Sequence, residues 1–137
     1  HEMNGARRPS RDDLLDALFD LKHDLGKYLR WHLSTAPEDA GPERFREALA
    51  TALLCTRTGP RGDRAAREIW EKFEGETGSA LDGYPARAAL SIAVRRALGH
   101  ERALAPDAPL DRGEIRRDLG AGSDAIRALI EEVERDA

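Results

Sequence analysis

The sequence predicts an all-α protein, a helical bundle of about six helices with a long first helix and a C-terminal helical hairpin. Three observations predict it. Apolar residues recur at spacings of three and four in one segment after another. No stretch shows a sustained two-residue alternation rich in Val, Ile and Thr, the mark of a half-buried strand. Short breaks containing Gly and Pro separate the periodic segments, as helix-to-helix connections do. At 137 residues the chain has single-domain size and can bury roughly two-thirds of its unfolded surface, enough for one modest core.

Residues 1–10 are polar and expected to be disordered, and His1-Glu2 before Met3 looks like a tag remnant. Ser10, followed by Arg11, Asp12 and Asp13, reads as an N-cap with acids in the first turn, where they favour the helix dipole. Leu14, Leu18, Leu21, Leu25, Tyr28/Leu29 and His32 then mark one face of a helix of roughly 22 residues, ending near Ser34 before Pro37. Pro42 opens a second helix with the stripe Phe45, Leu49, Ala52 and Leu53, which stops around Thr56. Thr58-Gly59-Pro60-Arg61-Gly62 reads as a turn and Asp63 as the cap of a third helix, with Ala66, Ile69, Trp70 and Phe73 inward. Its Arg-Gly-Asp tripeptide is that turn and cap.

The glycine-rich stretch from Glu74 to Tyr84 is long for a bundle connection and is expected to be flexible. A fourth helix starts near Pro85 and carries Ala89, Leu90, Ala93, Val94, Ala97 and Leu98. After the break Ala105-Pro106-Asp107-Ala108-Pro109, two short helices at about 111–119 and 123–136 flank Gly120-Ala121-Gly122, with Ser123 as cap. The organisation expected is a bundle over 11–104 and a hairpin over 105–137 within the same domain.

Composition removes several function classes. No apolar run approaches the ~18–20 residues of a membrane helix. With 22 basic and 26 acidic side chains the net charge is −4, which opposes general binding to nucleic acid or anionic membranes. Of the 22 basic residues only Lys22, Lys27 and Lys72 are lysines. Beside abundant Ala, Gly and Asp, the arginine excess reads as GC-rich coding and carries no functional weight. The single Cys55 excludes a disulfide framework and a thiolate zinc site, and fits a reducing cytoplasm. It reads as a small buried apolar side chain.

One segment carries candidate chemistry: Lys22-His23-Asp24-Leu25-Gly26-Lys27-Tyr28-Leu29. At about 100° per residue His23 lies roughly 160° from Leu25, so it should project from the polar face. Phe19, Asp20, Gly26 and Lys27 are its neighbours one turn away. Gly26 costs the helix about 1 kcal/mol relative to alanine. On the histidine's own face it would leave a bare patch through which another protein could approach the ring. Asp20, Gly26 and Arg30 form the interaction surface this predicts.

His-Asp-Leu-Gly-Lys within a long amphipathic helix resembles the phosphoacceptor helix of bacterial two-component signalling. Histidine-kinase dimerisation domains carry His, an acidic residue at +1 and often Gly near +3. Histidine phosphotransfer domains carry His-x-Leu-Lys-Gly, and here Lys and Gly are exchanged. The resemblance spans residues 22–29. It implies His23 as the phosphorylated nucleophile, Asp24 as the group that orients the imidazole, and Lys27 as the cation that offsets the phosphoryl charge. It also implies a protein partner, a receiver or a kinase, because the rest of the chain lacks the Asn- and Gly-rich boxes of a kinase ATP-binding domain.

The expected protein is thus a cytoplasmic signalling module that acts by protein–protein interaction. A non-catalytic helical adaptor or regulatory domain using the same face, with a homodimer as one form, is the alternative. The same residues also read as an ordinary solvated, salt-bridging surface. A DNA-binding helix-turn-helix at 110–133 is a third reading. Its second helix sets Asp124, Glu131, Glu132, Glu134 and Asp136 against Arg127 and Arg135, a balance that opposes phosphate contact. No carboxylate pair, nucleophile–base pair or metal-ligand spacing assembles, so neither enzymatic turnover, nor a cofactor, nor a metal is expected. His32 falls on the apolar stripe and should be half-buried; His100 ends the fourth helix beside Glu101, where a cation is favoured.

Overall fold

The computed structural model describes residues 9–35, 37–53 and 60–136. Cys55 lies outside them, as do residues 1–8. Among the described residues the fold is five helices and no strand. Helix α1 is one continuous rod made of an α-helical part Arg11–Leu21, a π-helical part Lys22–Trp31 and a final α turn His32–Ser34. It starts where expected, on a capping box: Ser10 Oγ accepts the Asp13 N–H, and Asp13 returns a carboxylate oxygen to the Ser10 N–H. The π segment has a cause in the sequence. Leu21, Leu25, Leu29 and Leu33 repeat every four residues, and on an α-helix each such step overshoots a full turn by about 40°. Wider i→i+5 turns carry the stripe back the other way, and all four leucines are buried.

Helix α2 (Pro42–Ala52) begins with Pro42 in its first turn, and α4 (Pro85–Gly99) does the same with Pro85. Helix α3 spans Pro60–Phe73, so the turn expected at 58–62 ends in helix and Asp63 lies inside it rather than capping it. The flexible loop expected after α3 is not a loop. Glu74–Gly78 forms a π turn and Ser79–Leu81 a 3-10 turn, with Thr77, Gly78 and Leu81 buried. The Thr77 hydroxyl donates to the Phe73 carbonyl at 3.0 Å, and Arg87 pairs with Glu74 and donates to Gly78 O. Gly78 is buried in that crowding: a Cβ there would lie 2.6 Å from the Glu74 carboxylate, so the end of that flexible side chain would have to move aside. A 3-10 turn, His100–Leu104, follows α4.

The C-terminal hairpin is also corrected. Residues Arg112–Arg135 form one 24-residue helix, α5, that runs through Gly120-Ala121-Gly122 without a turn. Gly122 is buried against α1, where a Cβ would make van der Waals contact with Leu29 Cδ1 at 3.4 Å. Two short helices therefore become one, the count falls to five, and the helix-turn-helix loses the turn that defines it.

Helix α5 lies at the centre, antiparallel to both α1 and α4. Arg11 at the start of α1 donates to Val133 O and Glu134 O at the end of α5, while Arg116 near the start of α5 donates to Leu33 O at 2.6 Å. Tyr84 caps α4 without a side-chain bond, so Glu132 of α5 accepts the Ala86 N–H instead, at 3.0 Å. Tyr84 itself donates to Asp136 at 2.5 Å, and that hydrogen bond, ahead of burial, raises its phenol above the usual range. Helix α3 meets α1 through Phe73, while Trp70, stacked on Phe73 at 5.5 Å, lies under the Arg87 guanidinium of α4. Short α2 closes the end where α1 and α4 finish. Phe45 is fully buried there beneath the guanidiniums of Arg112 and Arg116, each 5.4 Å from its ring.

Candidate functional site

Of the three described histidines only His23 is exposed. His32 is half-buried, as its place on the stripe predicts. His100 is engaged: its Nε2 lies 2.8 Å from Asp118 Oδ2, tying the end of α4 to α5. Sequence reasoning placed His100 beside Glu101 and missed Asp118, eighteen residues away in the chain. Glu101 pairs instead with Arg67 of α3 at 2.8 Å.

His23 sits on the second residue of the π segment with Lys22 and Asp24 exposed on either side. Among the described residues its imidazole makes no hydrogen bond or ion pair. One turn earlier Phe19 is 48% exposed, one of two large apolar side chains left in water among the described residues, the other being Ile92. Asp20, between them in the chain, is exposed too.

The arrangement around the ring differs from the expected one in two respects. Asp24 does not hydrogen-bond the imidazole. It lines, with Asp20, a groove of about 210 Å3 between α1 and α3, opposite Lys72 and Glu76 and floored by Ile69 and Phe73. Gly26 does not form a bare patch beside the histidine. It is half-buried and faces α5, where a Cβ would meet Ser123 Oγ at 3.8 Å. The cause is the change of helical pitch at Lys22, which moves the residue three positions on to another face. Lys27 and Arg30 belong to the same π segment, and their side chains lie outside what the structure describes. Lys72 on α3 and Glu76 in the π turn after it were beyond reach of any local motif; their signal was the Ile69/Phe73 stripe that turns this helix toward α1.

Chemically, the site offers an imidazole in water with no partner among the described residues, an exposed aromatic ring one turn away, and carboxylates and one amine along the neighbouring groove. Among the described residues no group of three or more His, Cys, Asp or Glu side chains could hold a metal ion. No described helix is long and apolar enough to cross a membrane. Compared with protein-family models, curated proteins and solved structures, the chain matches none. Function rests on the site itself.

Proposed function

We propose that this chain is a cytoplasmic signalling bundle that offers the Phe19–His23 face of α1 to another protein, and that His23 accepts a phosphoryl group there. The observation that carries the reading is the exposed imidazole, without a partner among the described residues, one turn after an exposed phenylalanine. A nucleophile needs a free lone pair. An apolar ring left in water is the kind of anchor that a partner surface buries. The π segment adds support, because π turns inside α-helices occur frequently at functional sites.

The resemblance of residues 22–29 to phosphoacceptor helices supplies the reaction. A ring nitrogen of His23 attacks the phosphorus of a receiver's aspartyl phosphate; the bond from phosphorus to the aspartate oxygen breaks, the carboxylate departs, and the other ring nitrogen keeps or releases its proton to water. Asp24, turned into the groove, does not polarise the ring in the free protein. That observation favours the second reading, in which the same face docks a partner without chemistry.

One experiment separates them. The chain is mixed with a panel of receiver domains carrying labelled aspartyl phosphate. Acid-labile, alkali-stable label on the wild-type chain, absent from His23→Gln, is expected. If no receiver transfers label, or if His23→Gln takes it up equally, phosphotransfer is wrong.

A further inference from the structure

A second surface, away from His23, has a composition of its own. Arg44, Arg46 and Arg112 converge on a groove of about 910 Å3 between the start of α2 and the connection that leads to α5, walled by Leu104, Pro106 and Leu110. In a chain of net charge −4 these three cations have no carboxylate partner among the described residues. Arg46 donates through Nε to Ala103 O at 3.0 Å and through Nη2 to Ala108 O at 2.8 Å. Arg112 donates through Nη1 to Glu38 O at 3.2 Å and lies over the Phe45 ring. Arg44 is exposed, and its side chain makes no hydrogen bond or ion pair among the described residues. Carbonyl partners orient a guanidinium without cancelling its charge, so Arg46 and Arg112 are held in place with N–H groups to spare. A ligand carboxylate would meet planar forks already ordered, at little further entropic cost.

We infer that this groove docks an acidic peptide segment of a partner protein, one that carries at least one large apolar side chain. The carboxylates would meet Arg44, Arg46 and Arg112, and the apolar residue would lie against Leu104, Pro106 and Leu110. Helix α2 adds acceptor-seeking groups, since Gly41 at its N-cap supplies no side-chain bond to the first-turn N–H groups. Charge complementarity selects the occupant. A nucleic acid fits less well, because the local aromatic ring, Phe45, is fully buried and offers no face for base stacking.

The test is selection of short random peptides displayed against the full chain, followed by fluorescence anisotropy of the enriched sequences and amide shift mapping. Enriched peptides should be acidic with a Leu, Ile or Phe, should shift the amides of Leu104, Leu110 and Arg112, and should weaken as salt rises. Arg44→Glu, a change at an exposed side chain without partners, should weaken binding roughly tenfold or more; Arg112→Gln is the second variant. The inference is overturned by neutral or basic winners, by no enrichment, by shifts confined to the Phe19–Asp24 face, or by undiminished affinity in Arg44→Glu. Displacement of the peptide by a tighter-binding single-stranded oligonucleotide would overturn it as well.

Discussion

Two regions along α1 use charge in opposite ways. Around Phe19–Asp24 the ionisable groups stand in water and hold nothing together. Around its end at Ser34 the charged groups are structural: Arg116 closes the Leu33 carbonyl, Arg112 reaches Glu38 O, Arg46 holds the 103–108 connection, and two guanidiniums cover Phe45. A carbonyl left over at a helix end needs a donor, and a fork with five N–H groups supplies one from a distance. A guanidinium so held keeps its charge and its remaining N–H groups, whereas the groups of the first region are held by no such contact among the described residues. Exposure marks the first region and engagement the second, although both read as polar sequence.

The largest test of that contrast is Phe45→Ala, which opens a cavity under two guanidiniums and should cost about 3–5 kcal/mol in urea unfolding. Phe19→Ser, in the open region, should leave the urea midpoint unmoved. Next comes Arg46→Met, which keeps the stem but leaves two carbonyls without their charged donor; a loss of about 2 kcal/mol is expected. Smaller and opposite in sign is Gly120→Ala on α5, the helix that both regions share. Nothing lies within 4 Å of its added Cβ, so in a continuous helix it should gain about 0.5–1 kcal/mol. A loss there would mean that 120–122 is a turn after all. The smallest effects belong to the open face, where His23→Gln and Asp24→Asn should each stay within about 0.5 kcal/mol of wild type.

Much of the fold was legible in the sequence because it is written locally. The Ser10 capping box, the prolines at the starts of α2 and α4, and the leucine stripe of α1 each depend on neighbours within a turn. Glycine is where legibility failed. A glycine can supply a turn or permit close packing, and residues 74–83 and 120–122 read equally well as either. Only the tertiary contacts decide: Leu29 against Gly122, Glu74 and Arg87 against Gly78.

The candidate site was legible to the same depth. Exposure of His23 follows from periodicity, and it holds. The expectation that Gly26 lies beside the ring assumed an ideal α-helix past Leu21, and the π segment turns it toward α5; Asp24 lines the groove between α1 and α3. Arginine was misjudged for a different reason, since its composition gives no hint that Arg11, Arg46, Arg112 and Arg116 all end on main-chain carbonyls.

The most direct test of the contrast between free and engaged charge is a long-range proton–nitrogen correlation spectrum of the imidazoles, recorded while the chain is mixed with phosphorylated receiver domains. The account predicts that the His23 ring nitrogens shift to phosphohistidine positions while those of His100, held by Asp118, stay where they were. An unchanged His23 signal, or a shift at His100 in its place, would contradict it.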